Sequence, residues 1–195
     1  GVNAEYLIDH SWGKESCTIA DIKAYKPKTN SITNSQVLFE DYSFIKARLV
    51  LKEMVEVGSL RLIESNLVTD TVGLYIGYSK NTIKATGGTR KLTNYTDIYS
   101  ELLKAFLEIY DKTTDTDIPI RRIGVNFANV IEAESVQLSL FIDQERIDEE
   151  RKLELAMCSI KNKMGKNAII RGMDLEEGAT TIMRNKLIGG HNSGE

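Results

Sequence analysis

Between residues 31 and 131 the apolar side chains recur first at every second position and then at every third or fourth, and this switch happens twice. Period two belongs to a strand with one buried face, and period 3.6 to an amphipathic helix. Residues 31–38 (Ser-Ile-Thr-Asn-Ser-Gln-Val-Leu) read as a short strand, entered from a loop at Lys26-Pro27-Lys28 that proline keeps from becoming helical. The spacing of Ala47, Val50, Leu51, Met54, Gly58 and Leu62 predicts a long helix reaching Asn66, with Asp41 as its N-cap. Residues 71–78 set Val72, Leu74, Ile76 and Tyr78 on one side of a strand and Thr71, Gly73, Tyr75 and Gly77 on the other. Ser79-Lys80-Asn81 turns the chain into a strand over 82–92, bent or bulged at Gly87-Gly88. In a second helix Ile98, Leu102, Ala105, Phe106 and Ile109 keep one apolar stripe, opposite Asp97, Glu101, Lys104, Glu108 and Asp111. A last strand from Ile120 to Ile131 alternates Ile123, Val125 and Phe127 with Arg122, Gly124, Asn126 and Ala128.

Strand, helix, strand, strand, helix, strand is the split βαβ pattern: an α+β fold, with two helices on one face of a four-stranded antiparallel-type sheet. The other sheet face stays open. Lys84, Thr86, Arg122 and Asn126 are out of phase with the apolar residues of their strands and are read onto that face, with Arg90 and Lys91 following at the end of the third strand. The net charge of −3 hides an asymmetry. Residues 21–92 carry eleven Lys or Arg against seven Asp or Glu, and Arg121 and Arg122 follow with no acid nearby; residues 93–118 carry two against six, and 132–156 three against eight. Bases on an uncovered sheet and acids on helices suit contact with phosphates through one face.

After Ile131 a polar stretch leads into the apolar run Val136 to Phe141, and an acidic segment then opens a third helix with Leu153, Ala156, Met157, Ile160 and Met164 on one face, stopped at Gly165. The tail beyond, broken at Gly172 and Gly178, is expected to be ordered only where it packs on something. The 195 residues, 42% of them apolar, supply one ordinary domain plus an appendage, and no apolar run approaches the roughly 18 residues of a membrane span. A start at Gly1 without initiator Met or signal-peptide core points to a piece of a longer protein. Cys17 and Cys158 lie 141 positions apart, and His10 and His191 sit near opposite ends, so neither a disulfide scaffold nor a zinc module is expected and a reducing compartment is the default.

Catalytic motifs are missing: there is no Gly-rich phosphate loop ending in Lys-Ser/Thr, no HExxH and no GxSxG elbow. Gly87-Gly88-Thr89-Arg90 is half a phosphate loop and reads as a hairpin bend, and Asp148-Glu149-Glu150 reads as an acidic first helical turn. No catalytic residue and no metal ligand is assigned. Gln137-Leu138-Ser139-Leu140-Phe141 differs from these: an extended segment with Leu and Phe anchors and one amide, flanked by Glu132, Glu134, Asp143 and Glu145, has the form of a peptide that docks into a partner's pocket.

That pentapeptide resembles, at all five positions, the Gln-Leu-Ser/Asp-Leu-Phe motif by which bacterial polymerases and repair factors bind the DNA sliding clamp. Residues 1–30 resemble the end of the thumb and the linker of UmuC-like Y-family translesion DNA polymerases, and residues 31–131, with Ile-Arg-Arg-Ile-Gly-Val-Asn-Phe at 120–127, resemble that family's little finger. Gly165-Lys166-Asn167-Ala168, Glu177-Gly178-Ala179-Thr180, Arg184-Asn185 and Ile188-Gly189-Gly190-His191 are similar to the tail of its Gram-positive branch. The palm and fingers, with their catalytic carboxylates, have no counterpart in the chain.

The resemblance implies four segments: 1–30 thumb end and linker, 31–131 little finger, 132–144 a connector with the clamp motif, and 145–195 a C-terminal helix and tail. It implies backbone contacts to template-primer DNA from Ser31, Thr33 and Ser35, from Lys84, Thr86, Arg90 and Lys91, and from Arg121, Arg122 and Asn126, with Lys26 and Lys28 added from the linker. It implies clamp contacts from residues 137–141, and as a further family-level partner a recombinase filament. Damage tolerance in the SOS response, a cytoplasmic location and no membrane contact follow from the same likeness. For the fragment no activity and no cofactor are expected; for the parent, magnesium-dependent nucleotidyl transfer. The residues also leave open a free-standing ferredoxin-like nucleic-acid-binding or clamp-adaptor module without polymerase. An RNA-recognition-motif reading fails, because residues 82–92 lack its aromatic signature.

Overall fold

A computed structural model of the chain describes residues 8–15, 17–24, 30–79, 83–135 and 144–187. A short helix α1 (Ile19–Ala24) precedes a two-layer body. The body runs β1 (Ile32–Tyr42), α2 (Phe44–Glu64), β2 (Leu67–Tyr78), β3 (Thr86–Thr96), α3 (Tyr99–Thr113) and β4 (Ile120–Ala128), the expected α+β order. A two-residue strand β5 (Ile131–Glu132), helix α4 (Gln144–Met164) and a tail with the single turn α5 (Thr181–Arg184) follow. The sheet order is β1-β4-β2-β3, and every pairing, including the short β5 against Leu67 and Val68 of β2, is antiparallel.

The alternating residues of the strands meet the apolar stripes of α2 and α3 in one core. Val72, Leu74, Ile76 and Tyr78 of β2, with Ile123, Val125 and Phe127 of β4, lie against Ala47, Val50, Leu51 and Met54 of α2 and Leu102, Phe106 and Tyr110 of α3. Phe106 and Phe127 pack edge to face with centroids 5.4 Å apart. Several boundaries differ from the sequence expectation, among them β2, which starts at Leu67 rather than 71, and β3, which runs over 86–96 rather than 82–92. β1 continues to Tyr42 and takes Asp41 into the strand; the helix is capped by Ser43, whose side chain accepts from the Lys46 N–H at 3.4 Å. β4 stops at Ala128, because Asn129 takes a positive φ of 55° and the chain then pairs on β2 instead. Glu132, expected to open an extended connector, lies in β5, and Ala133–Ser135 form a 3-10 turn whose Ala133 N–H donates to the Asn66 carbonyl.

Helix α2 is buried nearly all round, including Glu53, Glu56 and Ser59 on the side away from the sheet. Helix α4 and the tail cover that side. The face α4 presents matches the expected stripe only in part: Met157 is buried and Ile160 half-buried, but Leu153 and Met164 are 56% and 76% exposed and Ala156 is exposed, while Glu154 and Cys158 are buried instead. The surface of α2 that it meets is mixed, so a mixed face docks best. The Glu154 carboxylate accepts from the Ser59 hydroxyl at 3.3 Å, Arg151 reaches both oxygens of the buried Asp97 at 2.6 Å, and Lys161 stands 3.7 Å from Glu56. The tail is ordered by what it packs on. The Arg171 guanidinium lies 4.2 Å over the Tyr99 ring, between Glu56 and Glu154, and the Glu53 carboxylate accepts from the N–H groups of Thr180 and Thr181 and the Thr180 hydroxyl at 2.8–2.9 Å.

Two consequences can be measured. A Cβ added at Gly58 would lie 2.1 Å from Phe127 Cε2, so Gly58→Ala should lower the denaturation midpoint by a net loss of about 1–3 kcal/mol. Helix propensity alone would have given a gain of at most about 1 kcal/mol. Burial, assisted by the charge of Glu150, pushes the Glu154 carboxyl up to about 7 against the opposing effects of Arg171 and Ser59. A carboxyl whose folded pKa is raised holds its proton more firmly in the native state, so its contribution to stability falls as pH rises from about 4.5 to about 7. Glu154→Gln should therefore be more stable than the parent chain above pH 7, and the margin should shrink toward pH 5 in thermal melts.

Candidate nucleic-acid interface

The strand registers fix which residues share the uncovered face. One row across the sheet is Thr33 of β1, Asn126 of β4, Gly73 of β2 and Thr89 of β3; the next is Ser35, Gly124, Tyr75 and Gly87. Val37, Arg122 and Gly77 form a third row, and Ala128, Thr71 and Lys91 a fourth. Four of these positions are glycine, and a shallow cavity of about 550 Å³ opens there, with Gly73 and Gly124 in its lining and Thr33, Ser35, Thr89, Arg122 and Asn126 around them.

Tyr75 lies along the glycines. A Cβ at Gly77 would come 3.2 Å from its Cε1, and one at Gly124 would come 3.4 Å from its Cβ, so larger residues there would displace the ring. The ring is 46% exposed, and the Arg122 guanidinium carbon stands 5.9 Å from its centroid, at the outer limit of a cation–π contact. The Thr33 hydroxyl donates to Asn126 Oδ1 at 2.9 Å, which orients the Asn126 amide so that its N–H2 group is offered as a donor. Lys91, in the fourth row, is 3.6 Å from Asp70. Burial works to raise the Asp70 pKa, but hydrogen bonds from Asn129 and Thr71, together with Lys91, bring it below the ordinary aspartate value. Arg121, at the irregularity near the start of β4, is 3.5 Å from Asp41. The acids are thus not confined to the helices.

Of the residues expected on this face, Thr33, Ser35, Lys91, Arg122 and Asn126 lie on it, and Ser31 is exposed just ahead of β1. Thr86 and Arg90 do not. Thr86 stands opposite Ile76, on the helix side, with its hydroxyl 2.7 Å from the Tyr78 hydroxyl; Arg90 stands opposite Val72 and ion-pairs with Glu108 of α3. Lys84 is exposed ahead of β3 rather than in it. The error is one of phase. β3 has almost no apolar alternation to reveal its buried side, and its register is set by Gly87 pairing with Tyr75. Tyr75, Thr71 and Thr89 were not singled out, although the period of β2 already put Thr71 and Tyr75 opposite its apolar residues. Lys26, Lys28 and the Gln137–Phe141 motif lie outside the described residues.

Among the described residues, no group of three or more His, Cys, Asp or Glu could hold a metal ion. No helix among them is long and apolar enough to cross a membrane.

Residues 29–140 match the model of the impB/mucB/samB family C-terminal domain. A Bacillus subtilis (strain 168) protein named for UV-damage repair, UvrX, is 34% identical over 172 residues, covering 84% of this chain and 39% of that protein. DNA polymerase IV 2 of Halalkalibacterium halodurans is 32% identical over 169 residues, covering 84% of this chain and 40% of the relative. The chain thus spans about two fifths of the length of these curated relatives. A solved complex of the beta-clamp processivity factor and the little finger domain of PolIV matches 57% of this chain and 99% of that one, at 12% identity and a TM-score of 0.42, a likeness too low to bear on function.

Proposed function

Because the chain belongs to the impB/mucB/samB family and carries its C-terminal domain, we propose that it is the DNA-gripping and clamp-recruiting part of an error-prone translesion DNA polymerase. The observation that carries the reading is the uncovered sheet face, where Thr33, Ser35, Tyr75, Thr89, Arg122 and Asn126 border a shallow cavity lined in part by Gly73 and Gly124, with Lys91 in the adjoining row. Hydroxyls, an amide and two cations on a shallow, open floor suit phosphates and sugars, which fix position along a duplex without reading its bases. Tolerance of damaged template is what such a grip permits. Ser31, Lys84, Arg121 and the linker's Lys26 and Lys28 extend it at the margins, whereas Arg90 and Thr86 take no part.

In this reading residues 137–141 bind the sliding clamp, Leu140 and Phe141 entering an apolar pocket and Gln137 a polar one, with Leu138 and Ser139 setting the spacing. Magnesium-dependent nucleotidyl transfer belongs to the longer polymerase, acting in the cytoplasm during DNA repair. The segments 1–30, 31–131, 132–144 and 145–195 keep the roles of thumb end and linker, little finger, connector, and C-terminal helix with tail. The recombinase filament is left out, since no residue of the chain speaks for it.

Duplex binding should be weak, insensitive to sequence and steeply dependent on salt. Arg122→Ala should reduce the slope of log affinity against log salt by about 0.9, the share of one phosphate, while Arg90→Ala should leave it unchanged. The reverse pattern in a fluorescence-anisotropy titration would move the contact off the open face. Burying a Leu and a Phe is worth about 1.5–3 kcal/mol each, less the cost of ordering the peptide, so clamp affinity should be about micromolar. Leu140→Ala with Phe141→Ala should abolish it in a pull-down and leave DNA affinity and melting temperature intact. Normal clamp capture by this double variant would sink the recruitment reading.

A further inference from the structure

On the helix side of edge strand β1, turned away from the open sheet face, a cleft of about 470 Å³ opens between α2, α4 and the tail. Its volume lies in the range of small-ligand sites. Arg61 of α2, Lys166 beyond α4 and Arg184 of α5 line it, and none of the three has a carboxylate within 4 Å among the described residues. Arg184 is half-buried, and its side chain has one hydrogen-bond partner among the described residues, the neutral Gln36 Oε1 at 2.8 Å; burial draws its pKa below the ordinary arginine value despite Glu53 and Asp174 nearby. A guanidinium desolvated against a single amide oxygen keeps most of its donors unused. The Thr181 hydroxyl, in the same wall, is buried and has no hydrogen-bond partner among the described residues. The two carboxylates of the lining are already engaged, Glu56 by Lys161 and Arg171 and Glu64 by the Asn162 amide at 2.6 Å, and Cys158, its pKa raised by burial, stays a neutral thiol.

We propose that this cleft is a second anion site, which takes a phosphoryl group between Arg184, Lys166 and Arg61. Planar guanidinium forks and a hydroxyl match phosphate oxygens, and the tail is what completes the pocket. The group can come from a free phosphate compound or from a nucleic-acid backbone, which share the chemistry recognised here.

The test is a titration of the whole isotope-labelled chain followed by amide NMR, with inorganic pyrophosphate as one probe and a short single-stranded oligonucleotide as the other. Pyrophosphate should shift the amides of Lys166, Thr181 and Arg184, and Lys166→Gln combined with Arg184→Gln should weaken its binding by about tenfold or more, as expected for the loss of charge-assisted hydrogen bonds. An oligonucleotide that competes for the same amides identifies a backbone phosphate; one that moves only open-face amides identifies a small phosphate compound. The site is refuted if pyrophosphate leaves residues 166–187 unmoved, or if the double variant binds it as well as the parent chain does. Should Arg184→Gln fail to fold, Lys166→Gln and Arg61→Gln at exposed positions carry the same comparison. Arg122→Ala serves as the control: its effect on duplex binding bears on the open face alone, so the two readings stand or fall separately.

Discussion

Glu53 sits in the middle of α2 with no exposed surface, and a carboxylate is stable out of water only where donors close over it. Those donors are the N–H groups of Thr180 and Thr181 and the hydroxyl of Thr180, well over a hundred residues further along the chain. Glu56, one turn further along α2, and Glu154, facing it from α4, repeat the demand: Arg171, resting on Tyr99, donates to Glu154 and stands 3.4 Å from Glu56 as an ion pair without a hydrogen bond. The outer side of α2 is thus a polar interior, complete only when α4 and the tail are in place. The sheet and its two helices form a sandwich of ordinary apolar kind; the third layer is held by charge and hydrogen bonds.

This difference in chemistry decides what could be read in advance. The sandwich was legible because period two and period 3.6 are printed in β2, β4, α2 and α3, where one face is apolar and the other is not. The third layer was not, because Glu53, Glu56 and Glu154 look like solvated helix positions until their donors are known, and those donors are remote in sequence. For the same reason the apolar stripe of α4 was right at Met157 but wrong at Leu153, Ala156 and Met164, since the surface awaiting it also called for Arg151 and Glu154. On the open face, β4 declared its phase through Ile123, Val125 and Phe127, and so Arg122 and Asn126 were found. β3 has nothing comparable, and Arg90 was misplaced by a single residue of register that only the pairing of Gly87 with Tyr75 reveals.

The charge distribution follows the layers. Arg90 is spent on Glu108, Arg48 on Asp111 and Arg151 on Asp97, so much of the basic content holds elements together. Other cations line two unlike surfaces: Arg122 on the open face, with Lys91 beside Asp70, and Arg184 with Lys166 and Arg61 in the cleft behind β1. A strand whose alternate residues border two unlike surfaces can couple them mechanically, since its backbone is common to both.

The pairing of Ile131 and Glu132 with Val68 and Leu67, and the start of α4 at Gln144, tie the chain down on both sides of residues 136–143. A chain spans at most about 3.5 Å per residue, so the segment between these two anchors is a short one. A motif tethered at both ends differs from one at a free terminus: if these residues recruit a ring-shaped partner as proposed, that partner cannot drift from the sheet by more than the length of the tether, the arrangement of a hinge rather than of a leash.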